Sequence, residues 1–153
     1  MAVKPIPEGY HSVTPYLCVK GAAQAIEFYK KALSATERMR IAHPDGRVGH
    51  AEVQIGDSVI MLSDEFPEMG VVSPTTVGHT TASMLVYVAD ADKTFANAVS
   101  LGATVNKPMA DQFYGDRSGT VVDPFGHKWT IATHKEDVAP EEMEKRIAAL
   151  SKK

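Results

Sequence analysis

Residues 47–60 have the sequence RVGHAEVQIGDSVI, and residues 117–130 match them after a shift of 70 positions as RSGTVVDPFGHKWT. Three positions keep the same residue type under this shift, namely Arg47 and Arg117, Gly49 and Gly119, and Gly56 and Gly126. A match at a fixed separation indicates an internal repeat, which has to be recognised before any fold is assigned. We therefore expect the chain to be built from two related halves.

A second pair of segments precedes this match in each half. Residues 19–36, VKGAAQAIEFYKKALSAT, align with residues 88–104, VADADKTFANAVSLGAT, with one gap. Both segments place apolar residues at the spacing of an amphipathic helix. The spacing predicts helices over residues 22–33 and 90–102, and Asp90 is a suitable N-cap for the second of them.

Short β-rich segments surround both helices and are separated by turn-forming residues. They cover residues 13–19, 35–43, 48–56 and 58–64 in the first half, and residues 81–88, 103–109 and the two arms of VVDPFGHKW (121–129) in the second. Gly119, Asp123, Pro124 and Gly126 are interpreted as turn residues of that last hairpin. Each half is thus predicted to be a βαβββ unit.

The predicted organisation is a single α+β domain over residues 1–153. It consists of repeats at 12–64 and 80–134, joined by a segment rich in Pro, Gly and Thr, and followed by a helix at 139–151. A chain of 153 residues is long enough to bury a core without disulfides or a structural metal.

The composition excludes several classes of protein. A hydrophobic content of 44% with 23% charged residues is typical of a soluble globular chain, and no apolar run is long enough to span a bilayer. A net charge of -3 without a basic cluster argues against a nucleic-acid partner. Prolines near the N-terminus argue against a secretion signal, so we expect a cytoplasmic location. The single cysteine, Cys18, is interpreted as a buried apolar residue.

The tandem βαβββ pattern resembles the vicinal oxygen chelate superfamily, which contains glyoxalases, bleomycin resistance proteins and dioxygenases. The segments that carry the resemblance are PYLCVKGAAQAIEFYKKALSATE (15–37) and GDRSGTVVDPFGHKW (115–129). Two further segments, HAEVQIGDSVIMLSDE (50–65) and YGDRSG (114–119), are similar to its PhnB-like branch. The resemblance covers residues 12–134 and implies the glyoxalase/bleomycin resistance fold, in which the two units form curved mixed sheets that enclose a cleft.

The resemblance also implies four strand positions at which metal-using members of the superfamily carry His or Glu. In this sequence the four positions are occupied by Thr14, Met61 (or Ile60 if the strand shifts by one residue), Ser83 and Thr130. Hydroxyl and thioether groups are poor ligands for zinc, nickel, iron or manganese. We therefore expect the fold without the metal, and no cofactor.

His50 and Glu52 are the candidate catalytic residues. They lie two positions apart in a predicted strand, so both side chains point to one face while Val53 and Ile55 point to the other. If that face lines the cleft, an imidazole beside a carboxylate forms an acid/base pair or half of a metal site. If the face is turned to solvent, the two residues are only part of a polar surface.

The segment DQFYGDR (111–117) is the candidate ligand-binding segment, and it has no recognisable equivalent in the first half. Its hydrogen-bonding and aromatic side chains suit a wall of a small-molecule site, and the predicted ligand-binding residues are Gln112, Tyr114, Asp116 and Arg117. Arg117 can clamp a carboxylate or phosphate. In the alternative interpretation Arg117 pairs with an acidic residue and stabilises the loop, as Arg47 does at the equivalent place.

Three classes of function remain after these exclusions. The first is a small-molecule-binding protein of the bleomycin-resistance type that lacks the usual metal ligands. The second is a glyoxalase-like lyase or isomerase, or a dioxygenase, using His50 and Glu52 with or without a divalent metal. The third is an assembly module without a ligand. The expected partners are a small-molecule ligand and a second copy of the chain, because members of the superfamily usually form homodimers.

Overall fold

The computed structural model describes residues 3–152 of the chain. The first half contains β1 (Tyr16–Val19), α1 (Ala22–Leu33), β2 (Thr36–Ala42), β3 (Val48–Ile55) and β4 (Ser58–Asp64). A 3-10 turn (Pro67–Met69) and the short helix α2 (Pro74–Val77) follow. The second half contains β5 (Ser83–Tyr87), α3 (Ala91–Ser100), β6 (Thr104–Asp111), β7 (Asp116–Val122), β8 (Lys128–His134) and finally α4 (Pro140–Leu150). Within residues 3–152 no helix has the length and apolar character needed to cross a membrane.

Each half forms one four-stranded mixed sheet. The first sheet has the strand order β1-β4-β3-β2, and the second has the order β5-β8-β7-β6. In both sheets the first strand of the half pairs in parallel with the last, and the other pairs are antiparallel. The predicted α+β fold with tandem βαβββ units is therefore confirmed.

The chain divides into two compact units. The first extends to Thr81 and includes Pro124–His127, and the second contains Ala82–Asp123 and the chain from Lys128 onward. In the first unit the ring of Phe125 lies 6.2 Å from that of Phe28, centre to centre. The segment Pro124–His127 was predicted to belong to the second repeat, but its aromatic side chain is part of the first core.

The two faces of the first sheet differ in character. Helix α1 covers one face, where the buried side chains are Leu17, Val19, Ala51, Val53 and Leu62. Because side chains alternate along a strand, the neighbouring residues Tyr16, Glu52 and Met61 point to the opposite face. These three residues form one row across β1, β4 and β3, since Met61 pairs with both Tyr16 and Glu52.

The carboxylate of Asp64 at the end of β4 fixes the position of α1 relative to this sheet. It accepts hydrogen bonds from the backbone N–H groups of Gly21 (2.9 Å) and Ala22 (2.7 Å) at the start of the helix. It also accepts one from the N–H of Val48 at the start of β3 (2.7 Å). One side chain thus satisfies three backbone donors that would otherwise lack a partner at element ends.

Gly119 lies in the middle of β7, opposite Ile131 of β8, so its predicted role as a turn residue is wrong. A side chain at this position would begin 2.7 Å from the ring of Phe95 in α3 and 2.8 Å from the sulfur of Met109. Glycine is needed here because the side chains of Phe95 and Met109 approach the backbone of β7 closely.

Candidate active site

The structure brings the two candidate catalytic residues together. His50 Nε2 lies 3.1 Å from Glu52 Oε1, and both residues are on the face of the first sheet that α1 does not cover. The Glu52 side chain is only 6% exposed, whereas His50 is partly exposed. A buried carboxylate is stable only with hydrogen-bonding partners, so the environment of Glu52 determines what the pair can do.

Two tyrosines extend this pair into a chain of hydrogen bonds. The Tyr10 hydroxyl donates to Glu52 Oε2, and the Tyr16 hydroxyl lies 2.8 Å from His50 Nδ1. We call these four residues, Tyr10, Tyr16, His50 and Glu52, the His50 cluster. Along the chain of hydrogen bonds, the residues follow in the order Tyr10, Glu52, His50 and Tyr16.

The charge state of the cluster follows from its hydrogen bonds. Burial raises the pKa of Glu52, but the hydrogen bonds from Tyr10 and His50 outweigh burial, and the pKa ends below its usual value. The hydrogen bond to Glu52 raises the pKa of Tyr10, and burial raises it further. At neutral pH Glu52 is therefore ionised and Tyr10 is protonated.

An ionised Glu52 fixes the tautomer of a neutral His50. The proton of the imidazole lies on Nε2 and is donated to Glu52, so Nδ1 is an acceptor for the Tyr16 hydroxyl. Tyr16 is 53% exposed and forms the accessible end of the chain. The Tyr16 hydroxyl donates to an imidazole that is itself hydrogen-bonded to a carboxylate. In such an arrangement the hydroxyl can exchange a proton with a bound ligand.

Sequence reasoning identified His50 and Glu52 but missed the two tyrosines. Tyr16 alternates with the buried Leu17 on β1, and this signal places it on one face of the strand. Its contact with His50, however, depends on β1 and β3 both flanking β4, which a single sequence does not reveal. Tyr10 precedes the first strand and gives no periodic signal.

A divalent metal site would require several donor side chains of the described residues to meet at one point. Within residues 3–152 no three His, Cys, Asp or Glu side chains are grouped closely enough to hold one ion. Met61, one of the four positions implied by the resemblance, lies beside Glu52 and Tyr16 and supplies only a thioether. His50 and Glu52 are hydrogen-bonded to each other. A transition metal needs several imidazole, thiolate or carboxylate ligands at one point.

The candidate ligand-binding segment is the β6–β7 hairpin, and the expectation that it has no counterpart is wrong. The Gly115 N–H donates to the Gln112 carbonyl (3.1 Å), and the Gln112 N–H to the Asp116 carbonyl (2.7 Å). The β2–β3 hairpin has the same pattern, from Gly46 to His43 (2.9 Å) and from His43 to Arg47 (2.7 Å). The two turns share little more than a glycine with positive φ, so the residue types conceal the relationship.

The environment of Arg117 favours the structural alternative. Its Nε lies 2.6 Å from Asp92 of α3, and its Nη1 lies 3.2 Å from Asp111. Arg47 is engaged in the same way in the first unit, by Asp45 and Glu68, each at 2.6 Å. Both arginines pair with carboxylates beside their hairpins.

Asp116 is a buried carboxylate in the second unit and has two partners of its own. It is 4% exposed, accepts a hydrogen bond from the Tyr87 hydroxyl (2.9 Å) and lies 2.7 Å from His134 Nδ1. His134 Nε2 lies 2.8 Å from Asp137. The hydrogen bonds with Asp116 and then Asp137 raise the pKa of His134. His134 thus links Asp116 of β7 to Asp137 in the chain that follows β8.

The remaining two predicted residues lie in the turn itself. Tyr114 is 37% exposed, and its ring makes an edge contact with Phe113 at 5.2 Å between centres. Gln112 is half-buried, and its side-chain amide lies 3.5 Å from the Ala110 carbonyl. Tyr114 presents an accessible aromatic surface, and a ligand role for both residues stays a prediction.

Comparison with known proteins gives matches over most of the chain. The sequence model of the Glyoxalase/Bleomycin resistance protein/Dioxygenase superfamily matches residues 9–131. An uncharacterised protein of Mycobacterium bovis is 38% identical over 141 residues, which are 90% of this chain and 93% of that protein. An uncharacterised protein of Mycobacterium tuberculosis H37Rv is also 38% identical, over 90% of this chain and 83% of its own length.

Solved structures agree with the sequence matches. A gene product of Arabidopsis thaliana has a TM-score of 0.65 at 26% identity, over 80% of this chain and 98% of that chain. The PhnB protein of Bacillus cereus has a TM-score of 0.64 over 80% and 99% of the two chains; at 16% identity it shows the shared fold alone. Together with the tandem βαβββ units, these matches show that the chain belongs to the glyoxalase/bleomycin resistance protein/dioxygenase superfamily.

Proposed function

We propose that this protein binds a small organic molecule on the face of the first sheet that carries the His50 cluster, without a metal ion. The observation that carries the proposal is the continuous chain of hydrogen bonds from the buried Glu52 through His50 to the exposed Tyr16. Small-molecule sites are apolar surfaces with a few fixed polar groups that orient the ligand. Met61 supplies apolar surface beside such groups, because it lies in one row with Tyr16 and Glu52.

The alternative of an assembly module without a ligand is less well supported. Burying the Glu52 carboxylate and satisfying it with two partners, Tyr10 and His50, costs free energy that a purely structural sheet face would avoid with apolar residues. The opposite face of the same sheet shows this apolar solution, since α1 covers Leu17, Val53 and Leu62 there. The polar cluster therefore favours a role in binding.

A second candidate function, metal-free proton transfer, rests on the order of groups in the cluster. When Tyr16 takes a proton from an acidic C–H of a ligand, its own hydroxyl proton moves to His50 Nδ1. The imidazolium that forms is stabilised by the ionised Glu52, and the reverse transfer returns the proton to another carbon of the ligand. These proton transfers together isomerise the ligand, and the reaction needs no further reactant.

A ligand screen on metal-free protein tests the proposed binding function. The protein is treated with a chelator, its metal content is measured, and small molecules are screened for an increase in melting temperature. A ligand that binds only the folded state raises the melting temperature, and we expect such ligands to do so with the chelator present. A divalent metal retained in stoichiometric amount, or ligand binding that requires one, would refute the metal-free site.

The same ligands distinguish binding from catalysis. For proton transfer, we expect deuterium from D2O to appear in the ligand, as followed by NMR, and Tyr16→Phe to abolish the exchange. If the unmodified protein binds the ligand without deuterium exchange, proton transfer is refuted and only the binding function remains.

For the second unit, we propose that Gln112 and Tyr114 contact a small-molecule ligand at the β6–β7 turn. Tyr114→Ala is expected to weaken binding by about 1 to 3 kcal/mol, the range for a well-packed aromatic anchor. Because Tyr114 is 37% exposed, the free energy of unfolding should change little. Isothermal titration calorimetry and urea unfolding measure the two effects. A loss of several kcal/mol in stability with unchanged affinity would show that the ring serves packing only.

The expected homodimer also stays a proposal. Strand β2 is an edge of the first sheet, and its side chains are exposed, including the apolar Met39 and Ile41. An exposed edge strand with apolar side chains offers a surface on which a second chain can pair. Light scattering should give a mass of twice 16.5 kDa, and a monomer at micromolar concentration would contradict the proposal.

A further inference from the structure

One of the five arginines differs from the others in its partners. Four of them lie within 3.0 Å of carboxylates, in the pairs Arg40 with Glu37, Arg47 with Asp45 and Glu68, Arg117 with Asp92, and Arg146 with Glu136 and Glu142. Across the described residues 3–152, Arg38 has no carboxylate within 4.0 Å and makes no side-chain hydrogen bond. Its N–H groups are left to solvent.

Arg38 is nevertheless held in a defined place. Its guanidinium carbon lies 4.7 Å from the centre of the Tyr10 ring, a cation–π contact, and its nitrogens lie against Gly9. The Tyr10 hydroxyl donates to Glu52, so the tyrosine contacts both the guanidinium and the buried carboxylate of the His50 cluster, and the charge of Arg38 is among the causes that lower the pKa of Glu52.

The backbone of β2 explains how Arg38 reaches this place. Glu37 pairs with Val53 and Met39 pairs with Glu52, so Arg38 is the extra residue of a β-bulge opposite two consecutive residues of β3. A bulge redirects a side chain out of the regular alternation of the strand, and bulges are frequent beside active sites. Both the bulge and the contact with Tyr10 therefore place a cation without an ion-pair partner at the border of the cluster.

We infer that Arg38 binds an anionic group of the ligand, a carboxylate or a phosphonate, while Tyr16 and His50 contact the remainder. The inference rests on the proposed function of the His50 cluster. A guanidinium offers several N–H donors in one plane, and this geometry matches two oxygens of a carboxylate or phosphonate. The contact with Tyr10 limits the motion of the side chain before the ligand arrives, which reduces the entropy lost on binding. The ligand class is therefore a small organic acid.

The alternative is that Arg38 only packs on Tyr10, and the two roles predict different results. Three probes of similar shape separate them, namely benzoate, phenylphosphonate and the neutral benzamide. Each is titrated into 15N-labelled protein, and the amide shifts of the His50 cluster give the dissociation constant. We expect the anions to bind more tightly than benzamide, and the ratio of the two anions identifies the preferred group.

Substitutions then assign the effect to Arg38. Arg38→Gln should weaken binding of the preferred anion at least tenfold, which corresponds to about 1.4 kcal/mol, and should leave benzamide unaffected. Arg38→Lys should retain part of the affinity. The matched control is Arg40→Gln, which removes the same charge from the same strand where Glu37 already pairs with it. This control should bind the anions like the unmodified protein.

Each other outcome overturns the inference. If the unmodified protein and Arg38→Gln bind the anion with equal affinity, Arg38 serves only packing and the inference is wrong. The proposed function would still stand in that case if benzamide binds at the cluster. An equal loss in Arg40→Gln would show a general effect of charge. If neither the anions nor benzamide shift the cluster amides, both the inference and the proposed ligand face are wrong for this class of molecule.

Discussion

Replacing Gly115 with alanine is expected to lower the free energy of unfolding by at least about 3 kcal/mol. The residue has a φ of 101°, a conformation that costs a residue with a side chain about 1 to 2 kcal/mol. The new Cβ would also lie 2.1 Å from the backbone oxygen of Glu136, so the two chains must separate. The Gly115 carbonyl accepts hydrogen bonds from Lys135 and Glu136, and their loss adds about 0.5 to 1.5 kcal/mol each.

Gly46 provides a matched control for this substitution. It occupies the equivalent position of the β2–β3 turn with a φ of 92°, and a Cβ there would meet no atom within 4 Å. Gly46→Ala should therefore cost only the conformational part, about 1 to 2 kcal/mol. Urea unfolding followed by the fluorescence of the single tryptophan measures both variants. Equal losses would show that the chain after β8 does not pack on Gly115 as described.

The second large effect is expected at the candidate active site. His50→Ala should weaken binding of the ligand found by thermal shift about 30-fold or more, which corresponds to about 2 kcal/mol. The substitution leaves the Tyr16 hydroxyl without its acceptor and the buried Glu52 with Tyr10 as its remaining partner in the cluster. The site then loses both its orienting group and one of the two hydrogen bonds that lower the pKa of Glu52.

The matched control for His50 is His79→Ala. His79 is exposed and lies in the segment between α2 and β5, which contains none of the residues of the His50 cluster. It should bind the ligand like the unmodified protein. Calorimetry well below the melting temperature of each variant separates affinity from stability. Unchanged affinity in His50→Ala would remove this residue from the site.

Periodic signals in the sequence were sufficient to predict helices α1 and α3, the succession of helix and strands along the chain in each unit, and the shared face of His50 and Glu52. The helix predicted over residues 22–33 has the same bounds as α1, because its apolar spacing and the flanking Gly21 are local features. The prediction that His50 and Glu52 share a face holds because it needs only the alternation of a single strand.

Features that depend on pairing between strands could not be predicted. The contact of Tyr16 with His50 follows from the position of β4 between β1 and β3, and the placement of Arg38 follows from a bulge. Gly119 was misassigned to a turn because a glycine needed for close packing looks the same in sequence as one needed for a turn. The relation between the two hairpins was missed because hydrogen bonds, rather than residue types, define it.

A crystal structure of the chelator-treated protein with its ligand would show directly whether the ligand binds at the His50 cluster without a metal ion. We expect a ligand on the face of the first sheet opposite α1, with a polar atom within hydrogen-bonding distance of the Tyr16 hydroxyl or of His50, and with no metal ion between protein and ligand. A ligand bound elsewhere without contact to Tyr16, His50 or Glu52, or one coordinated through a metal ion, would contradict it.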